Sequence, residues 1–233
     1  MTMRTVLRTS AITLASAGLL AATVLPASAN PAAEQAMLTQ KDVPSSFGSP
    51  KSFDFDAKII GKTIGICDTA EGQTLVSVPA PATQYLVDIE TKNKKTYTEI
   101  FERVYKFDSA AGAQSAFTQL KGQLATCNGT TSLTSQTPAL SQTTTTGTYP
   151  QLDNVFWVNN SGTWTGGELK KPSRTVIRAN YALVDDAIVE VAAYINGRGK
   201  LTAAQTRGLN AMSQAAFCRW APSTGGCAFD ALS

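Results

Sequence analysis

The 233 residues contain no histidine. That removes Ser-His-Asp and Cys-His catalysis, histidine-based zinc and most acid–base schemes poised at neutral pH. The substitutes for those devices do not occur either. No Lys has a Ser three places before it, and G-x-S-x-G is absent, so neither the Ser-Lys nor the nucleophile-elbow arrangement is available. Charge is sparse, at 16% of residues. The densest basic group is Lys92, Lys94 and Lys95, at an expected surface turn. It is too small to track a phosphate backbone, and nucleic acid is not an expected partner. The formal net charge of +3 includes Arg4 and Arg8, which belong to the leader described next.

Long apolar runs are scarce as well. One follows Arg4 and Arg8, from Ala11 to Leu25, and Pro26 breaks it before Ala27-Ser28-Ala29. A positive start, a short apolar run and a small-x-small site are the parts of a cleavable export signal. The expected leader is 1–29, cut after Ala29. The run is shorter than the ~20 residues of a spanning helix and is interrupted by Thr, Ser and Gly. No later run is long enough to span a bilayer. Residues 30–233 are therefore expected to form one secreted, extracellular domain of a size that buries its own core.

Only four cysteines are present: Cys67, Cys127, Cys218 and Cys227. An even number in an exported chain reads as two disulfides. Three pairings are possible. The favoured one joins Cys218 to Cys227 across a local loop containing Pro222, Gly225 and Gly226, which leaves Cys67 for Cys127. In the chain-entropy account the long loop is worth about 4 kcal/mol and the short one about 2.7. No C-x-x-C occurs and there is no histidine, so structural zinc is not expected. Neither is any cofactor.

What remains is a pattern of strands and helices. Residues 32–40 read as a short helix. Gln84–Glu90 and Tyr97–Phe107 read as strands around a turn at Thr91–Lys95. The second carries Tyr97, Glu99, Phe101, Arg103, Tyr105 and Phe107 on one side and Ile100 and Val104 on the other, so burial on both faces or a bulge is expected. Asp108-Ser109 offers an N-cap for a helix with Ala113, Phe117, Leu120 and Leu124 on one face, ending at Cys127-Asn128-Gly129. The Thr- and Ser-rich residues 130–148 fit polar strands or a loop equally. Asp153–Val158 reads as a strand and Asn159–Gly167 as a turn region. Arg174–Val184 and Ala187–Ile195 form a hairpin at Asp185-Asp186. Thr202 and Gln205 make a capping box for a last helix reaching about Phe217, with Gly208 inside it at a cost of roughly 1 kcal/mol. The fold class is α+β: a mainly antiparallel sheet with two or three helices packed on it.

Chemistry is thin on this frame. Asp56 through Thr63 imitates the end of a phosphate-binding loop, but Asp56 stands where the first glycine is required. Asp54 and Asp56 hint at a calcium loop, yet Lys58 occupies the third ligand position and the obligatory glycine is missing. Asp88, Glu90, Glu99, Glu102, Asp153, Glu168 and Glu190 are all candidates for a hydrolytic carboxylate pair, and nothing in the sequence selects two. Trp157 and Trp164 suit either ring stacking or a core.

Val104-Tyr105-Lys106-Phe107-Asp108-Ser109-Ala110-Ala111-Gly112-Ala113, with Phe117 and Cys127 after it, resembles a stretch of the PknH-like extracellular sensor domain family. That family occurs on mycobacterial receptor kinases and on actinobacterial exported proteins. Tyr181–Val184, Val189–Val191 and the 201–212 helix are similar to its closing hairpin and last helix. Leu38–Pro44 is similar to the opening of related chains. Leu124 departs from the Trp often found three places before the helix-end cysteine. The resemblance implies an α+β fold with two disulfides and a cleft for an unidentified small ligand; it supplies no catalytic residues. The expected function is a secreted, non-catalytic, sensor-like module binding a small ligand or a cell-envelope component, with Arg103, Tyr105, Trp157 and Tyr181 as candidate lining residues, core packing being the favoured role for each. The alternatives are an exported hydrolase using two carboxylates, or a cell-wall or protein interaction module.

Overall fold

Apolar residues that alternate, or run almost without a break, dictate where the sheet lies. Residues 187–196 are buried along nearly their whole length, which places that strand at the centre with both faces covered. The computed structural model describes residues 31–58, 81–92, 96–134 and 137–221, with Cys227, Phe229 and Leu232. The expected leader, Cys67 and most of the phosphate-loop imitation lie outside the described residues.

The elements in chain order are α1 (Pro31–Ala36), β1 (Ser49–Pro50), β2 (Asp54–Lys58), β3 (Thr83–Lys92) and β4 (Tyr97–Lys106). Then come α2 (Ala110–Gly122), α3 (Leu124–Cys127), β5 (Gly129–Leu133), β6 (Ala139–Tyr149) and β7 (Leu152–Thr165). The chain continues with β8 (Ser173–Val184), β9 (Ala187–Asn196) and α4 (Ala203–Trp220). All nine described strands join one sheet in the order β1-β3-β4-β9-β8-β7-β6-β5, with β2 also on β3. Every pairing is antiparallel. The α+β expectation holds at this level.

One face packs against α2 and α3. It buries Phe107, Phe117, Leu120, Phe156, Ile188 and Ala192. The other packs against α1 and α4, and buries Met37, Leu38, Phe47, Val189, Val191, Leu209, Met212 and Phe217. Strand β4 feeds both layers and pairs without a register shift, so two-sided burial, not a bulge, explains its mixed pattern.

Several expectations are corrected. The first helix stops at Ala36, and a separate 3-10 turn, Gln40–Asp42, follows. Thr39 starts that turn by donating its N–H to Asp42 at 2.7 Å. The helix expected to end at Cys127 is broken at Gln123, so four α-helices are present among the described residues rather than two or three. Residues 159–165 are not a turn region. They continue β7, because Asn159, Ser161 and Thr163 pair register for register with Thr145, Thr143 and Ser141 of β6. The Thr-rich stretch thereby becomes β5 and β6, which fit polar side chains because the edge of the sheet is left open to water.

The capping box at Thr202 and Gln205 is present as expected. Gly208 has a packing reason. A Cβ there would lie 3.1–3.2 Å from Pro44, Ser46 and Phe47, so the helix interior accepts glycine to let the N-terminal segment approach. Cys218, in the last turn of α4, is joined to Cys227 with Cα atoms 5.3 Å apart. The link holds the chain end beside the core, where Phe229 meets Phe217 edge-on at 5.2 Å. This is the one disulfide between described residues, not the two expected. The Cys67–Cys127 pair involves a residue outside them, while Cys127 is buried at the end of α3 and is not a free thiol.

Candidate functional site

A period of two puts Glu99, Phe101, Arg103 and Tyr105 of β4 on one face. Strand pairing decides what they meet. Arg103 is opposite Glu190 of β9, and Glu190 is opposite Tyr181 of β8. All project into the α2 layer. Glu190 accepts hydrogen bonds from the Tyr105 and Tyr181 hydroxyls, each at 3.0 Å. Arg103 Nη1 lies 3.5 Å from the same carboxylate. Burial raises both tyrosine hydroxyls well above their usual range, and the Glu190 charge adds to it. For Arg103, burial works against the charge, but Glu190 outweighs it and keeps the guanidinium firmly protonated.

The ring of Tyr181 stacks on Phe156 at 4.8 Å, so its hydroxyl is held from inside the core. Arg103 lies 4.5 Å over the Phe101 ring. Its side chain stays 38% exposed while that of Glu190 is 5% exposed. The cluster therefore has a buried base and an open end.

Beyond Phe101 the same face turns acidic. Asp88 pairs with Phe101 across β3 and β4, Glu90 pairs with Glu99, and Asp54 pairs with Asp88. Burial, then a hydrogen bond and charge from Glu99, push the Asp88 carboxyl up to about 8. Tyr97 donates its hydroxyl to Glu90 at 3.1 Å. Among the described residues no group of three or more metal-ligating side chains has the geometry for an ion.

The candidate carboxylates thus separate. Asp88, Glu90, Glu99 and Glu190 share the α2 face. Glu102 is alone on the opposite face, fully buried. It accepts from Leu38 N–H at 2.5 Å and from Trp220 Nε1–H at 3.2 Å. Asp153 and Glu168 are exposed.

Of the four candidate lining residues, Arg103, Tyr105 and Tyr181 come together and Trp157 does not. Trp157 is on the α4 face, beneath the Arg178 guanidinium at 3.9 Å. Its indole lies flat over Gly147, where a Cβ would come within 2.5 Å of the ring. Gly147→Ala should therefore displace the indole and cost about 1–3 kcal/mol, read by urea unfolding. A variant as stable as the parent would mean the indole is not packed there. Trp164 continues β7, half-buried beside Leu140.

Phe101 and Glu190 were not singled out by sequence as members of one site. Their signal was the alternation of Glu99, Phe101, Arg103 and Tyr105, polar and aromatic side chains sharing a face that elsewhere is apolar.

The profile of the PknH-like extracellular domain matches residues 67–213, well over half of the chain. The fold is similar to the crystal structure of the extracellular domain of PknH from Mycobacterium tuberculosis, with a TM-score of 0.50 and 13% identity over 78% of this chain and 93% of that one. At that identity the likeness speaks for the fold. No curated protein matches the sequence. No described helix is long and apolar enough to cross a membrane. With the profile spanning both the α2 layer and the β8–β9 hairpin, this chain belongs to the PknH-like extracellular domain family.

Proposed function

We propose that the protein is a secreted, non-catalytic sensor-like module that binds a small ligand or a cell-envelope component on the α2 face of its sheet. The carrying observation is the convergence of Arg103, Tyr105 and Tyr181 on the buried Glu190, with Arg103 still open to solvent. A fold gains little stability from such a group, since apolar residues of similar volume serve a core as well or better. Buried polar networks of this kind gather at functional sites. Family membership supports the sensor reading and an extracellular place.

In this reading the leader 1–29 is removed, residues 30–233 act as one domain, and Cys67 pairs with Cys127. The family match begins at Cys67 and includes Cys127. Nucleic acid is not a partner, and no span follows the leader. The competing hydrolase would use Asp88 and Glu99, diagonal neighbours on the same face of β3 and β4. It predicts turnover that Asp88→Asn abolishes.

Native mass spectrometry of the protein purified from its producer's culture medium tests the proposal. A bound mass that leaves on denaturation is expected, on a chain beginning at Asn30 and four protons lighter than its reduced form. A bare chain that also retains no cell-wall material in a pull-down would overturn the binding reading. A mass two protons light would remove the second disulfide.

A further inference from the structure

This inference rests on the binding-module reading and names the ligand class. We propose that the solvent-open end of the α2-face cluster, anchored on Arg103 and flanked by the Phe101 and Tyr194 rings, binds a neutral saccharide.

Arg103 is the anchor because it is fixed twice yet not used up. Glu190 holds it at 3.5 Å, and its guanidinium lies over the Phe101 ring, 4.5 Å from the centroid. A guanidinium carries five N–H donors in a rigid fork. The side chain keeps 38% of its surface open to solvent. A donor already immobilised loses little freedom when a ligand arrives.

Register supplies the other half. Asp88 sits opposite Phe101, and Glu99 sits opposite Tyr194. Donor and acceptor groups therefore flank two half-buried rings, Tyr194 and Phe101, the latter covered on one face by the Arg103 guanidinium. A sugar hydroxyl both gives and takes a hydrogen bond, while the ring's C–H groups lie against aromatic carbon. Asp88 Oδ1 beside it is buried and has no hydrogen-bond partner of its own.

Charge narrows the class. This face carries Asp54, Glu90, Glu99 and Glu190 against Arg103, which repels phosphates and free carboxylates, while Asp88, pushed up to about 8, is mostly protonated at neutral pH. The anchoring Arg103 disfavours a simple amine. A neutral polyhydroxylated ring meets neither penalty.

The test is an NMR titration of the whole mature chain with mannobiose, galactobiose and cellobiose, and with putrescine and inorganic phosphate for comparison. The expected result is that at least one disaccharide shifts the backbone amides of residues 99–103 and 190–194. Arg103→Lys keeps a cation beside Glu190 but loses the fork, and should weaken that binding about tenfold or more with the remaining amide spectrum unchanged. Phe101→Leu should weaken it as well. Disaccharides that leave those amides unmoved, or an Arg103→Lys variant that binds as tightly as the parent, would overturn the proposal. Putrescine or phosphate acting there in place of sugars would overturn the ligand class and leave the binding reading standing. That broader reading falls only with the native mass measurement and the pull-down.

Discussion

Glu190→Ala should lower the unfolding free energy by about 3–5 kcal/mol, measured in urea at pH 7. The substitution strands three groups at once. The Arg103 guanidinium loses its counter-ion, and the Tyr105 and Tyr181 hydroxyls lose their acceptor inside the α2 layer. The two hydroxyls are removed from water by Phe156, Phe117 and their neighbours, so neither regains a partner without opening the core, while Arg103, part-exposed, loses its one carboxylate partner. The informative companion removes all four polar groups together: Arg103→Met, Tyr105→Phe, Tyr181→Phe and Glu190→Leu. Replacing a whole buried network by apolar residues is close to neutral in proteins where it has been tried, within about 1–2 kcal/mol. A quadruple variant near the parent in stability would show that the cluster is dispensable for folding and is kept for another purpose. One as unstable as Glu190→Ala would make it a structural device and remove the main support for ligand binding.

The second large effect concerns pH. Glu102 is fully buried between β4, the Leu38 backbone and Trp220. Burial raises its carboxyl to about 7, although the bonds from Leu38 and Trp220 and the charge of Arg219 pull the other way. The nearby Asp42 charge adds to the rise. In the unfolded chain the same group titrates near 4.5. The folded state therefore holds the proton more tightly, and this contribution is fully present below pH 4.5 and lost as pH rises through 7. It amounts to about 3 kcal/mol between those limits. Asp88, raised to about 8, acts with the same sign. Asp42 opposes them: burial would raise it, but the Arg219 and Thr39 hydrogen bonds prevail and hold it low, so its contribution is lost in acid. Urea unfolding at pH 5 and pH 8 should show the parent more stable at pH 5. Glu102→Gln should remove much of that difference, leaving the share from Asp88. Identical pH dependence in parent and variant would mean that Glu102 does not change its charge in this range.

The local chemistry of the elements was legible because it depends on neighbours in sequence. Thr202 and Gln205 cap α4 through a hydrogen bond across three residues. Asp185, with φ of 52°, turns the β8–β9 hairpin at the expected place. Where local signals were weak, extent was misjudged. Asn159, Ser161 and Thr163 look like a turn because they are polar, yet they form strand through pairing with Thr145, Thr143 and Ser141 of β6, 14 to 22 positions earlier.

By itself the sequence determined which histidine-dependent chemistries were excluded, the α+β class and the hairpin and helices that build it. A lack of histidine and the two periods of the backbone, 2 and 3.6, are properties of the chain alone. The site was decided only by the tertiary structure. Tyr105 and Glu190 are 85 residues apart, and their meeting depends on β4 lying beside β9. Periodicity assigns a side chain to one of two faces but does not say which strands are neighbours. That pairing fixed Arg103 over a buried carboxylate, placed Trp157 on the opposite face, and separated Glu102 from the other acids.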